Sequence, residues 1–95
     1  MATYFFAQTN IVEWGEYQKY LFGTDGPLEE FGAEVLVVDD QAILLEGNWD
    51  CTRTVVIRFP YVEAAQGWYS SSAYREIVQH RHRAAQTSAV FVDGV

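Results

Sequence analysis

A chain of 95 residues has the size of one domain, and 49% apolar and 20% charged residues give it the composition of a packed globule rather than a disordered segment. Its formal net charge is −7, unevenly placed: residues 1–50 carry ten acids against Lys19 alone, whereas residues 51–95 carry three acids and five arginines. With no clustered basic face, it is a poor candidate for binding nucleic acid or an anionic membrane. Glu29, Glu30, Glu34, Asp39 and Asp40 read as a solvated acidic surface. The single cysteine, Cys51, cannot form an intrachain disulfide and has no metal-ligand partner at close spacing, which fits a reducing, cytoplasmic setting. The opening residues have no basic region and no long apolar stretch, so they do not read as a signal peptide. No apolar run approaches the ~20 residues that span a bilayer.

In chain order, residues 3–12 are β-branched and aromatic and predict a strand. Residues 13–22 switch to helical period, with Trp14, Tyr17, Tyr20 and Leu21 on one side. Residues 23–27 interrupt that helix, and Pro27 fits the start of a second helical piece that buries Leu28 and Phe31 and stops at Gly32. Residues 34–38 predict a strand, 39–41 a turn, and 42–46 a strand returning as a hairpin. A polar-aromatic turn, 47–51, precedes a strand at 53–59. A short helix at 62–69 breaks at Ser70, Ser71 and Ser72, one of which should cap the helix from Ala73 to Ala85. A last strand covers 88–92.

This β-α-β-β-α-β order predicts a single ferredoxin-like α+β domain over residues 1–95: an antiparallel sheet with its helices on one face. Such a sheet should alternate apolar and polar residues. Instead Val35-Leu36-Val37-Val38, Ile43-Leu44-Leu45 and Val55-Val56-Ile57 are apolar on both faces. Helices cover only one face, so the other predicts a homodimer.

The segment Gly47-Asn48-Trp49 followed by Arg53-Thr54-Val55-Val56-Ile57-Arg58-Phe59-Pro60 resembles the G-x-W…R-x-V-V-I-x-F-P pattern of the family catalogued as domain of unknown function 1330. Ala64-Ala65…Trp68-Tyr69-Ser70-Ser71…Tyr74, then Arg81, a terminal Val-Asp-Gly and the opening Tyr4-Phe5-Phe6-Ala7-Gln8 are similar to the same family. The resemblance implies a dimeric α+β barrel, in a superfamily that also holds cofactor-independent monooxygenases, haem-degrading enzymes and small isomerases. It implies no particular reaction. The chain departs from the pattern at Ser71-Ser72-Ala73-Tyr74, where the family usually reads Ser-Pro-Glu-Tyr.

For chemistry, the last helix is the most informative element. At about 100° per residue, Tyr74, Ile77, Val78, Arg81, Ala84 and Ala85 share one stripe. A guanidinium on an apolar stripe must meet a carboxylate such as Glu46, backbone carbonyls or a bound anion. His80 projects toward solvent, and His82 lies at the stripe's edge near Arg75. Two histidines at i, i+2 on a helix diverge and cannot share a metal. The candidate ligand contacts are Arg81, Tyr69, Tyr74, Trp49, Arg58 and Ser72, with Tyr74 and His82 as catalytic candidates. Trp49 is either a dimer-interface plug or a pocket wall, and Trp68 belongs to the core. No nucleophile motif or phosphate loop is present, and no cofactor or metal is expected. The sequence leaves three readings open: a binder of small acidic or aromatic molecules, a cofactor-independent monooxygenase- or isomerase-like enzyme, and a structural homodimer without ligand.

Overall fold

The computed structural model describes residues 1–95. The elements are β1 (Thr3–Ile11), α1 (Trp14–Phe22), α2 (Asp25–Glu30), β2 (Glu34–Asp39), β3 (Arg53–Phe59), α3 (Val62–Ser70), α4 (Ser72–Ala84) and β4 (Ala85–Asp93). The four strands form one antiparallel sheet in the order β2-β3-β1-β4. This is the ferredoxin-like α+β fold. No helix is long and apolar enough to cross a membrane.

Alternation along β1 sets the two faces. Thr3, Phe5, Ala7 and Thr9 are buried under the helices. Their partners Phe59, Ile57, Val55 and Arg53 on β3 share that side. Trp68 of α3 is the centre of the core. Its ring meets Phe5 edge-on at 5.1 Å, Phe59 at 5.1 Å and Tyr74 at 4.2 Å between centroids. The 16 Å thickness of the molecule leaves room for one sheet and one helix layer, so the second sheet face carries no cover of its own.

Pro27 sits inside the first turn of α2 rather than at its first residue. It is tolerated there because the early helical N–H groups lack intrahelical partners. The helical segment stops at Gly32, as its sequence predicts. The φ of +70° at Gly32 closes a turn with Gly32 N–H donating to Glu29 O at 3.2 Å and Ala33 N–H to Leu28 O at 2.9 Å. Ser71 is the cap of α4: its Oγ accepts from Tyr74 N–H at 3.2 Å and donates to Trp68 O at 2.8 Å. Ser71→Ala should therefore cost about 1 kcal/mol, measurable by urea unfolding.

Two sequence expectations need correction. Residues 42–46 form no strand; β2 pairs with β3 instead, across the connection from Asp40 to Thr52. β3 offers Val55 and Ile57 to the core, whereas a strand at 42–46 would occupy an outer edge with nothing above it. The last strand is longer than 88–92 because β1 templates it throughout, from Thr3 opposite Asp93 to Ile11 opposite Ala85. Tertiary pairing here overrides the polar character of Gln86 and Thr87.

The open sheet face is less uniformly apolar than the sequence suggests. A bulge at Leu36 shifts the register of β2. One row of opposed residues, Val37, Val56, Phe6 and Val90, then crosses all four strands. A polar row, Asp39, Thr54, Gln8 and Ser88, borders it on one side. Glu34, Arg58, Tyr4 and Val92 border it on the other.

Candidate functional site

Between α1, α2 and the sheet lies a cavity of about 100 Å³. Fifteen residues line it, and eleven of them are hydrophobic. The polar ones are informative: Arg81 and Arg53 are both cations, and no acidic residue, histidine or cysteine faces the space. In a chain of net charge −7, this is a locally positive, apolar compartment.

Arg81 reaches it from α4. It is only 5% exposed. Its guanidinium carbon sits 5.6 Å from the centroid of the Tyr20 ring. It belongs to none of the ion pairs of the protein, and its buried Nε has no hydrogen-bond partner. Glu46, the carboxylate the sequence offered it, is exposed on the connection after β2 and makes no pair with it. Trp68, also in the lining, likewise holds a buried Nε1–H with no acceptor. Buried donors in this state are costly. Both lack the same thing, an oxygen acceptor.

Tyr20 completes this end of the cavity. Its hydroxyl lies 2.8 Å from that of Tyr74, in a fully buried pair. Burial pushes the Tyr20 phenol well above its ordinary pKa; the neighbouring Tyr74 adds to this, while the Arg81 cation opposes it. Burial raises Tyr74 as well. Both are therefore neutral phenols at neutral pH. One donates to the other, and the acceptor keeps its own proton for donation.

Arg53 also lines the cavity. Its Nε and Nη2 donate to Asp40 Oδ1 and Oδ2 at 2.7 and 2.9 Å. The same guanidinium lies 5.3 Å from the Trp14 ring centroid and 5.5 Å from that of Tyr17. The hydrogen bond from Arg53 holds the Asp40 carboxyl below its usual range. Arg53 is therefore already neutralised, and Arg81 is the cation without a counter-ion.

The model of the family described as domain of unknown function (DUF1330) matches residues 2–95. The chain belongs to that family. Among solved structures, a protein of unknown function from Rhodopseudomonas palustris is 18% identical with a TM-score of 0.82, covering 99% of this chain and 82% of its own. SnoaB, a cofactor-independent oxygenase from Streptomyces nogalater, is 7% identical with a TM-score of 0.68, covering 99% and 93%. A dimeric protein of unknown function and ferredoxin-like fold from Bacteroides fragilis is 3% identical with a TM-score of 0.65, covering 98% and 96%. At these identities the likeness is one of fold. No curated protein matches the chain.

In this DUF1330 protein the other candidate residues are dispersed. Tyr74 stands behind Tyr20 rather than in the lining. Tyr69 faces β4, stacked edge-on with Phe91 at 6.2 Å and covered by Arg75 at 5.0 Å. Ser72 is at the first turn of α4, away from the cavity. Arg58 lies on the open sheet face opposite Tyr4 and Glu34. Trp49 is on that face too: its ring meets Phe6 edge-on at 6.1 Å, and its Nε1–H donates to Thr54 Oγ1 at 3.0 Å. His82 is exposed, in a shallow depression with Arg75, Gln79 and Arg83. Partial burial, Arg81 and Arg75 together lower its pKa.

His80 ties α4 to α1 through Glu16, Nδ1 to Oε2 at 2.6 Å, and Arg83 joins at 3.0 Å. The bonds from His80 and Arg83 pull the Glu16 carboxyl down to about 2. A depressed carboxyl contributes stability that is present above its unfolded pKa of 4.5 and lost as pH falls toward 2. Glu16→Gln should flatten the acid limb of the stability curve in that window, with the two proteins converging near its lower end. Thermal melts across the window check this.

Proposed function

We propose that the protein is a homodimer that binds a small acidic organic molecule, aromatic or otherwise planar, in the cavity beside Arg81. The observation that carries this reading is a cavity lined by donors and cations with no acid among them, where Arg81 lacks a counter-ion. A carboxylate or enolate oxygen would satisfy Arg81 and stand within a ring of neutral donors. The volume of about 100 Å³ is smaller than the roughly 150 Å³ cavity that accommodates benzene, so it suits a small branched acid, and a ring would enter only in part.

The homodimer rests on the apolar row across the open face, with Val90 55% and Val37 38% exposed. The fold-neighbour from Bacteroides fragilis is itself described as dimeric. A cytoplasmic setting accords with the lone Cys51.

Thermal-shift screening against small organic acids, quinones and haem tests the binding reading. Small planar acids should raise the melting temperature, whereas uncharged compounds of the same shape should not. A silent screen would favour a structural dimer without ligand. Turnover of a stabilising compound, abolished by Tyr74→Phe or His82→Ala, would favour an enzyme. The absence of any carboxylate, imidazole or thiol facing the cavity weighs toward binding, because no lining group could accept a proton at neutral pH.

A further inference from the structure

We infer that the segment 42–46 is an arm that docks on a second copy of this chain and completes the dimer interface; this rests on the homodimer reading above. Ile43 is 86%, Leu44 54% and Leu45 88% exposed. Consecutive large aliphatics at such exposure are unusual for a free surface. The segment has strand-forming composition yet pairs with no strand of its own chain. Ile43 and Leu45 therefore have almost no packing role within the protomer.

Where the arm is rooted identifies its occupant. Trp49, on the same connection, lies on the open sheet face against Phe6. Leu44 and Trp49 border one surface depression with Thr54, whose row belongs to that face. The arm thus leaves the protomer at the corner of the surface that faces the second copy. That surface is small. Strands of nine, six, seven and nine residues project to roughly 500 Å² at the usual spacings, against about 800 Å² of accessible surface per partner in a standard interface. Its apolar part is narrower still, a single row bordered by Asp39, Thr54, Gln8 and Ser88 on one side. The arm supplies apolar area that the flat face lacks, and a two-fold axis uses it twice.

The test is the double variant Ile43→Ser/Leu45→Ser, compared by sedimentation velocity with wild type and with Val90→Asp. The arm variant should keep its far-UV spectrum and raise the dimer dissociation constant at least 30-fold. A constant within twofold of wild type, while Val90→Asp dissociates, would overturn the arm and leave the dimer reading intact. A wild-type protein that sediments as a monomer at high micromolar concentration would overturn both. A second measurement separates docking across the dimer from folding back onto the same chain. In mixed dimers of labelled and unlabelled protein, isotope-filtered NOEs should connect the Ile43 and Leu45 methyls to the unlabelled copy. NOEs confined to the labelled copy would overturn the proposal.

Discussion

Arg81→Leu is expected to abolish binding of small organic anions and to leave the protein at least as stable as before. Arg81 is 5% exposed, forms no ion pair and leaves its Nε without a partner. A buried charge in that state opposes folding, so the shorter apolar side chain should leave stability unchanged or raise it by about 1–3 kcal/mol. For a domain of this size, each kcal/mol shifts the melting temperature by about 4–8 °C. Binding responds in the opposite sense. A hydrogen bond to a charged group contributes about 1.5–3 kcal/mol, so loss of a two-pronged contact should weaken an acidic ligand by 100-fold or more. Arg81→Lys keeps the charge without the planar fork and should fall between the two. The two readouts, melting temperature and calorimetric affinity, separate a ligand anchor from a structural cation. A structural cation would lower stability when removed and leave any binding unchanged.

The second large effect is expected at the open face. Val90→Asp should convert the dimer to a folded monomer, with the dissociation constant raised at least 100-fold. Val90 is 55% exposed within the protomer, so a carboxylate there remains solvated while the chain is alone. On dimerisation the same carboxylate would enter the apolar row it shares with Phe6 and Val56, whereas Arg58 lies in the adjoining row, on β3 opposite Tyr4. Burying an unpaired charge costs far more than a single valine contributes. Sedimentation velocity reads the oligomer, and circular dichroism confirms that the fold survives. A Val90→Asp protein that still dimerises would move the interface elsewhere.

Much of this was legible in the residues. Helical spacing placed every helix, and β-branched or aromatic runs bounded by turn residues placed all four observed strands. The stripe of α4 put Arg81 inside, and it is buried there. What spacing could not carry was pairing. The sequence 42–46 has strand composition and the outer edge of β2 is free, but composition alone does not make a segment pair there. The bulge at Leu36 was equally hidden, so the open face looked more evenly apolar than it is. The cavity itself joins residues distant in the chain. Tyr17 and Tyr20 were visible as a helical stripe, but Arg53 stood out only as the first residue of the R-x-V-V-I-x-F-P pattern. Its two-pronged bond to Asp40 crosses the β2–β3 connection, and nothing in either residue's surroundings announces it. The mid-chain Trp49 and Arg58 stood out by residue type, yet alternation along β3 turns Arg58 away from the cavity.

The binding claim reduces to a comparison of two probes of one shape. Calorimetric titration of the wild-type protein with benzoate and with benzamide holds ring size and shape constant and replaces the carboxylate by a neutral amide. The cavity beside Arg81 should bind benzoate at least tenfold more tightly than benzamide, and Arg81→Leu should erase the difference. Equal affinity for the two probes, or a preference for benzoate that persists in Arg81→Leu, would contradict the account.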